Sequence, residues 1–81
     1  MGKVAVLFKV YAEDGMESEA KKNISEQLKP TAMQEEEIAF GIKILKVMFV
    51  YEDEQGSSKL EESLRKVHGV REVEVMEESL V

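Results

Sequence analysis

Hydrophobic positions alternate along four stretches of the chain and recur at helical spacing along two. Residues 3 to 11, KVAVLFKVY, put Val4, Val6, Phe8 and Val10 on one face and Ala5, Leu7 and Lys9 on the other, which predicts a strand with one strongly buried side. Met16, Ala20, Ile24 and Leu28 then recur every fourth position, so a helix is predicted from Met16 to Leu28. Asp14 and Glu17 read as an Asx variant of the capping box at its start, and Pro30 closes it. TAMQEEEIAF alternates only weakly and carries three consecutive glutamates, which suits an edge strand that uses charge to avoid pairing with strangers. From Ile42 to Tyr51 the run IKILKVMFVY is apolar on both faces, with Leu45, Val47 and Phe49 in one stripe, the mark of a central strand. EDEQGS is a turn. Ser58 with Glu61 reads as the capping box of a second helix whose inner face is Leu60, Leu64 and Val67, and Gly69 as its left-handed cap. The last strand, VREVEVM, directs Val73 and Val75 inward and Glu72 and Glu74 outward.

The resulting order is βαββαβ, the α+β ferredoxin-like sandwich: a four-stranded antiparallel sheet with two helices on one face. Right-handed crossovers leave the first and third strands in the middle and the second and fourth at the edges. On the second helix, Glu61 with Arg65 and Glu62 with Lys66 are i,i+4 pairs in the favourable order and belong to the scaffold.

Composition narrows what this scaffold can do. The 81 residues fit one domain with a modest core, and no Gly/Ser-rich or Pro-rich stretch marks a linker. The formal charge is −6 and the eleven Lys and Arg are scattered among acids, which argues against direct binding of nucleic acid. The chain has no cysteine, so it offers neither a disulfide nor a thiolate metal site, and a reducing cytoplasm suits it. VAVLF is followed by Lys9 with no small-residue cleavage site, no stretch is long enough to span a bilayer, and Val6 stands where a myristoylation signal wants Ser or Thr. No membrane attachment is expected.

Catalytic chemistry finds little support. The loop after the first strand, AEDGMESE, would repel the phosphoryl group that an Arg-bearing anion loop holds. No Ser or Cys nucleophile has an adjacent base, and the single histidine, His68, precedes Gly69, where a protonated ring favours a helix C-terminus. The acidic runs Glu35 to Glu37 and Glu52 to Glu54 do not match a calcium loop and read as edge protection and helix-end charge. No metal and no cofactor is expected. The third strand lacks the basic-Gly-aromatic pattern by which such sheets stack RNA bases, and Phe8 and Phe49 fall on the helix-covered face.

Two surfaces remain for protein contact. The open sheet face would show Ala5, Leu7, Ile44, Met48, Val50 and Met76, diluted by Lys9, Lys46, Glu72 and Glu74, and an apolar patch of this kind marks an interface, with a weak homodimer as one use of it. The other surface is the hairpin bend, where IAFGIKI places Phe40 beside Gly41, its ring either offered to a partner or folded back over the end of the core.

IAFGIKILKV and VYEDEQGSSKLEES carry a resemblance. The first is close to the Pro-Val/Ile-Gly-aromatic-Gly-Ile-Lys-Lys-Leu segment, and the second to the Val-Val-Glu-Asp-Asp stretch, of the archaeal translation elongation factor 1-beta family. That family is similar to the C-terminal guanine-nucleotide exchange domain of the eukaryotic elongation factor 1-beta. The resemblance covers essentially all 81 residues. It implies one exchange domain over residues 1–81 that binds the GTPase elongation factor 1-alpha and promotes exchange of GDP for GTP in the cytoplasm, with no catalytic constellation of its own. It implies Ala39, Phe40, Gly41, Ile42 and Lys43 as partner-binding residues, with Phe40 matching the aromatic that the family pushes into its partner beside the nucleotide. The second Lys of the family's pair is Ile44 here. Eukaryotic members also carry a Lys just before their last residue, whereas this chain ends EVMEESLV. A ferredoxin-like regulatory or dimerisation module binding a small ligand at the sheet is the alternative reading.

Overall fold

The computed structural model describes residues 2–52 and 57–80. Its elements follow in the order β1 (Lys3–Ala12), α1 (Glu17–Leu28), β2 (Ala32–Ala39), β3 (Ile42–Glu52), α2 (Ser57–Arg65) and β4 (Val70–Leu80). The sheet order is β2-β3-β1-β4 with every neighbouring pair antiparallel. This is the ferredoxin-like α+β sandwich, with the two most apolar strands, β1 and β3, at its centre.

The core follows from the strand alternation. Val4, Val6, Phe8 and Val10 of β1 meet Leu45, Val47, Phe49 and Tyr51 of β3 on the helix-covered face, and Ala20, Ile24, Leu64, Val67 and Val73 close over them. Phe8 and Phe49 pack edge to face with ring centroids 5.9 Å apart, an arrangement that places a positive ring edge on a negative face. Both i,i+4 pairs of the second helix form, Arg65 to Glu61 at 2.9 Å and Lys66 to Glu62 at 3.4 Å.

Several local expectations are corrected. Helix α1 begins at Glu17, with Met16 as the residue before it and no side-chain capping bond, so Asp14 does not complete a capping box. It sits instead in a turn that Gly15 takes through φ +78°, and the Met16 amide donates to the Glu13 carbonyl at 2.9 Å. Helix α2 begins at Ser57, which places Ser58 inside its first turn. Asp53 and Glu54, and with them most of the EDEQGS turn, lie outside the described residues. Strand β4 runs to Leu80, four residues past Met76. Its register shifts between Leu7 and Phe8 and again between Tyr11 and Ala12, which makes Met76 and Arg71 bulge residues on an exposed edge. Val75, just before the first of these bulges, is 40% exposed. Ile44 is buried although it lies opposite the helices, between its cross-strand neighbours Tyr11 and Glu36. The open face is thus less apolar than its sequence reads.

Gly69 carries φ +99°, and a Cβ there would stand 3.3 Å from the Ala20 amide nitrogen. Its freedom from a side chain lets the α2–β4 loop lie directly on α1. The Glu13 amide donates to the Gly69 carbonyl at 2.8 Å, tying the β1–α1 loop to the α2–β4 loop. Both loops lie at the end of the sheet where β2 turns into β3.

Candidate functional site at the hairpin end

Strands β2 and β3 are joined by two residues. Ala39 pairs with Ile42, and between them Phe40 and Gly41 take φ of +51° and +75°. Positive φ at both central residues defines a type I′ turn, whose twist matches that of the flanking strands and which favours Asn-Gly. Gly41 fits without cost. Phe40 does not: a left-handed backbone brings a non-glycine Cβ close to its following carbonyl, a strain of about 1 to 2 kcal/mol. The ring is also fully exposed, at 102% of its reference area. Neither backbone preference nor burial therefore favours an aromatic at this position.

The strand leading into the turn is shaped as well. The register shifts between Glu37 and Ala39, so Ile38 is an extra residue in β2, 47% exposed, and such a bulge bends a strand and sharpens its twist. Ala39, Phe40, Gly41, Ile42 and Lys43 are all exposed, and the structure brings these five together at one tip of a molecule 42 Å long and 23 by 16 Å across. The three glutamates before them divide by strand alternation. Glu36 faces away from the helices and pairs with Lys46 at 3.1 Å, while Glu35 and Glu37 stand opposite Leu45 and Lys43. Among the described residues no group of three or more His, Cys, Asp or Glu converges as metal ligands would.

The antiparallel sheet adds neighbours that sequence position conceals. Tyr11, at the end of β1, lies between Ile44 of β3 and Glu72 of β4. The Lys9 ammonium lies 5.6 Å, and the Arg71 guanidinium 6.0 Å, from the centroid of its ring, within reach of a cation–π attraction. Tyr11 raises the Lys9 pKa above its ordinary value, as hydrogen-bond partner first and by charge second, with Glu74 and Glu36 adding to it. A shallow depression of about 190 Å³ opens beside the turn, with Gly41 and Ile42 on one side and Arg71 on the other. Nothing in the periodicity of the chain pointed to Tyr11 or Arg71. The Arg71 position depends on a bulge, and a bulge has no signature in alternation.

His68 is surface-exposed, its Nε2 3.8 Å from Glu19 Oε2, while its carbonyl accepts from Asn23 Nδ2 at 3.0 Å. Both contacts join the α2–β4 loop to α1. No helix of the described residues is long and apolar enough to cross a membrane.

Residues 6–81 match the family described as the EF-1 guanine nucleotide exchange domain. The chain is similar to proteins named elongation factor 1-beta from several archaea. Identity is 40% with that of Methanosphaerula palustris, covering 99% of each chain. It is 38% with that of Aeropyrum pernix, covering 93% of this chain and 92% of the relative. With that of Thermoplasma acidophilum it is 30% over the full length of both.

Proposed function

The chain belongs to the EF-1 guanine nucleotide exchange family, whose role is nucleotide exchange for a GTPase, and from that premise we propose that it promotes exchange of GDP for GTP on elongation factor 1-alpha. All 81 residues act as one exchange domain in the cytoplasm, where translation GTPases work, and the contact is made by Ala39, Phe40, Gly41, Ile42 and Lys43. The observation that carries this reading is Phe40: a fully exposed ring on a left-handed backbone, held at the tip by a turn that would be more relaxed without it.

A ring already in solvent gives up no internal burial when a partner's pocket takes it in, and burying it stabilises the complex by about 1.5 to 3 kcal/mol. If that pocket forms only as the GDP site loosens, the two binding events oppose each other. Coupling of this kind is reciprocal and weakens the hold on each ligand by roughly ten- to hundredfold. The exchange factor then speeds departure of GDP and is itself displaced when nucleotide returns. Gly41 lets the turn close with no side chain between Phe40 and the pocket rim. The domain contributes no reacting group; the work is differential binding.

Release of labelled GDP from elongation factor 1-alpha, with and without the protein, tests this reading. The wild type is expected to accelerate release and Phe40→Ala to lose most of the acceleration while keeping its thermal unfolding midpoint. Equal acceleration by the two would refute the wedge. A second, independent use of the sheet is a weak homodimer through the open face, where Leu7 and Met48 are only half-covered and Val50 is 38% exposed. Sedimentation equilibrium reads this directly, and a monomer at millimolar concentration would dismiss it.

A further inference from the structure

The tip that carries Phe40 is continuous with the depression beside it, because Gly41, Ile42 and Lys43 belong to both. Any protein broad enough to cover the turn also covers the depression. We propose that the depression is a second docking point for the partner GTPase, in which Arg71 receives a carboxylate side chain of that protein, with Lys43 lining the same depression. The inference rests on the exchange reading above.

Arg71 is placed and kept free for such a role. It is the extra residue at the register shift between Tyr11 and Ala12, and bulges of this kind re-aim a side chain out of the regular alternation of a strand. Its guanidinium lies 6.0 Å from the Tyr11 centroid, so an aromatic neighbour restrains the fork without using up its donors. The chain has two arginines, and they differ. Arg65 makes two hydrogen bonds to Glu61 and one to the Val73 carbonyl. Arg71 makes no hydrogen bond and no ion pair among the described residues, and neither does Lys43. A planar guanidinium with five free donors matches a carboxylate bidentately.

Two carboxylates on the same depression limit where an anion fits. Asp14 and Glu17 line the same depression and are also without ion pairs among the described residues. Their repulsion confines an incoming negative group to the Arg71 side. With a formal charge of −6 over the whole chain, an acidic partner surface is repelled on approach in general. A cationic corner next to the wedge therefore fixes where that surface can be accepted, and electrostatic complementarity acts in this way on orientation and specificity.

The test is a titration of GDP release against concentration of the exchange protein. Arg71→Ala is expected to raise the half-saturating concentration about tenfold while leaving the maximal rate unchanged, and to flatten its salt dependence. Arg71→Lys recovers part of the loss, since it restores charge but not the fork. Phe40→Ala lowers the maximal rate instead, which separates wedge from dock. Lys59→Ala, on the exposed side of α2 beyond the far end of β3, controls for net charge. An unchanged half-saturating concentration for Arg71→Ala, or an equal loss in Lys59→Ala, overturns the proposal. Should the wild type accelerate nothing, the exchange reading falls by itself. Calorimetric titration of wild type and Arg71→Ala against the GTPase then still decides the dock, with equal affinities, or no binding by either, counting against it.

Discussion

Phe8 and Phe49 lie beneath the helices with their rings in contact, whereas Phe40 stands in solvent at the β2–β3 turn on a left-handed backbone. The first pair occupies strand positions that suit aromatic residues and buries its full apolar area, so local preference and overall fold agree. At the turn they disagree twice: the backbone favours Asn, and the exposed ring gains nothing from folding. Proteins break local rules mainly where function needs it. The contrast also separates two meanings of importance, since one aromatic pair belongs to the core and the third ring lies outside it.

The sharpest way to break this contrast is to truncate each ring in turn. Phe8→Ala is expected to destabilise the protein by about 3 to 5 kcal/mol, through lost burial and the cavity left behind. Phe40→Ala should leave the denaturant midpoint within error of the wild type. If both variants lost similar stability, the tip would be part of the core after all. A smaller effect compares two of the three glycines with positive φ at this end of the sheet, Gly69 and Gly41. Gly69→Ala meets Ala20 at 3.3 Å as well as backbone strain and should cost about 2 to 3 kcal/mol in chemical unfolding. Gly41→Ala, with only a Glu37 carboxylate oxygen at 3.9 Å, should cost about 1 kcal/mol. Comparable in size and opposite in sign, Phe40→Asn is expected to stabilise the protein by about 1 kcal/mol, because Asn tolerates the left-handed region, while abolishing accelerated GDP release. A stabilised variant that still exchanges nucleotide would separate the strain from the activity. The smallest change is at the half-buried Lys46–Glu36 pair, 3.1 Å apart, where Glu36→Gln should shift stability by less than about 1 kcal/mol in a thermal melt, and less again at high salt.

The central strands and both helices were legible because burial on one side imposes a period, and β1, β3 and the Ala20–Ile24 stripe of α1 show theirs without interruption. Strand β4 was legible only to Met76, since the bulge there resets the alternation and the following Glu77, Glu78 and Ser79 read as a tail. In the structure that tail is held, with the Tyr51 hydroxyl donating to Glu78 Oε2 at 2.6 Å. The capping box failed because a sequence spacing does not reveal whether Gly15 turns the chain before the helix starts. At the tip, the Phe-Gly pair announced an exposed aromatic, and the structure places Phe40 there. The left-handed backbone at Phe40 was hidden, since turn chemistry assigns such a position to Asn. Arg71 was hidden for a different reason: it is brought beside the hairpin by the intervening strand β1, across a distance in the chain that no local pattern spans.

The bulge at Ile38 has a consequence for how such a tip can diversify. Deleting that single residue would leave the Ala39–Ile42 pairing and the turn composition intact, yet would straighten β2 and swing the ring to a new bearing. Orientation and identity of the projecting group are thus encoded by separate letters, one a matter of chain length and the other of side chain. Descendants of this scaffold can retarget the tip by losing or gaining a residue there without touching the aromatic.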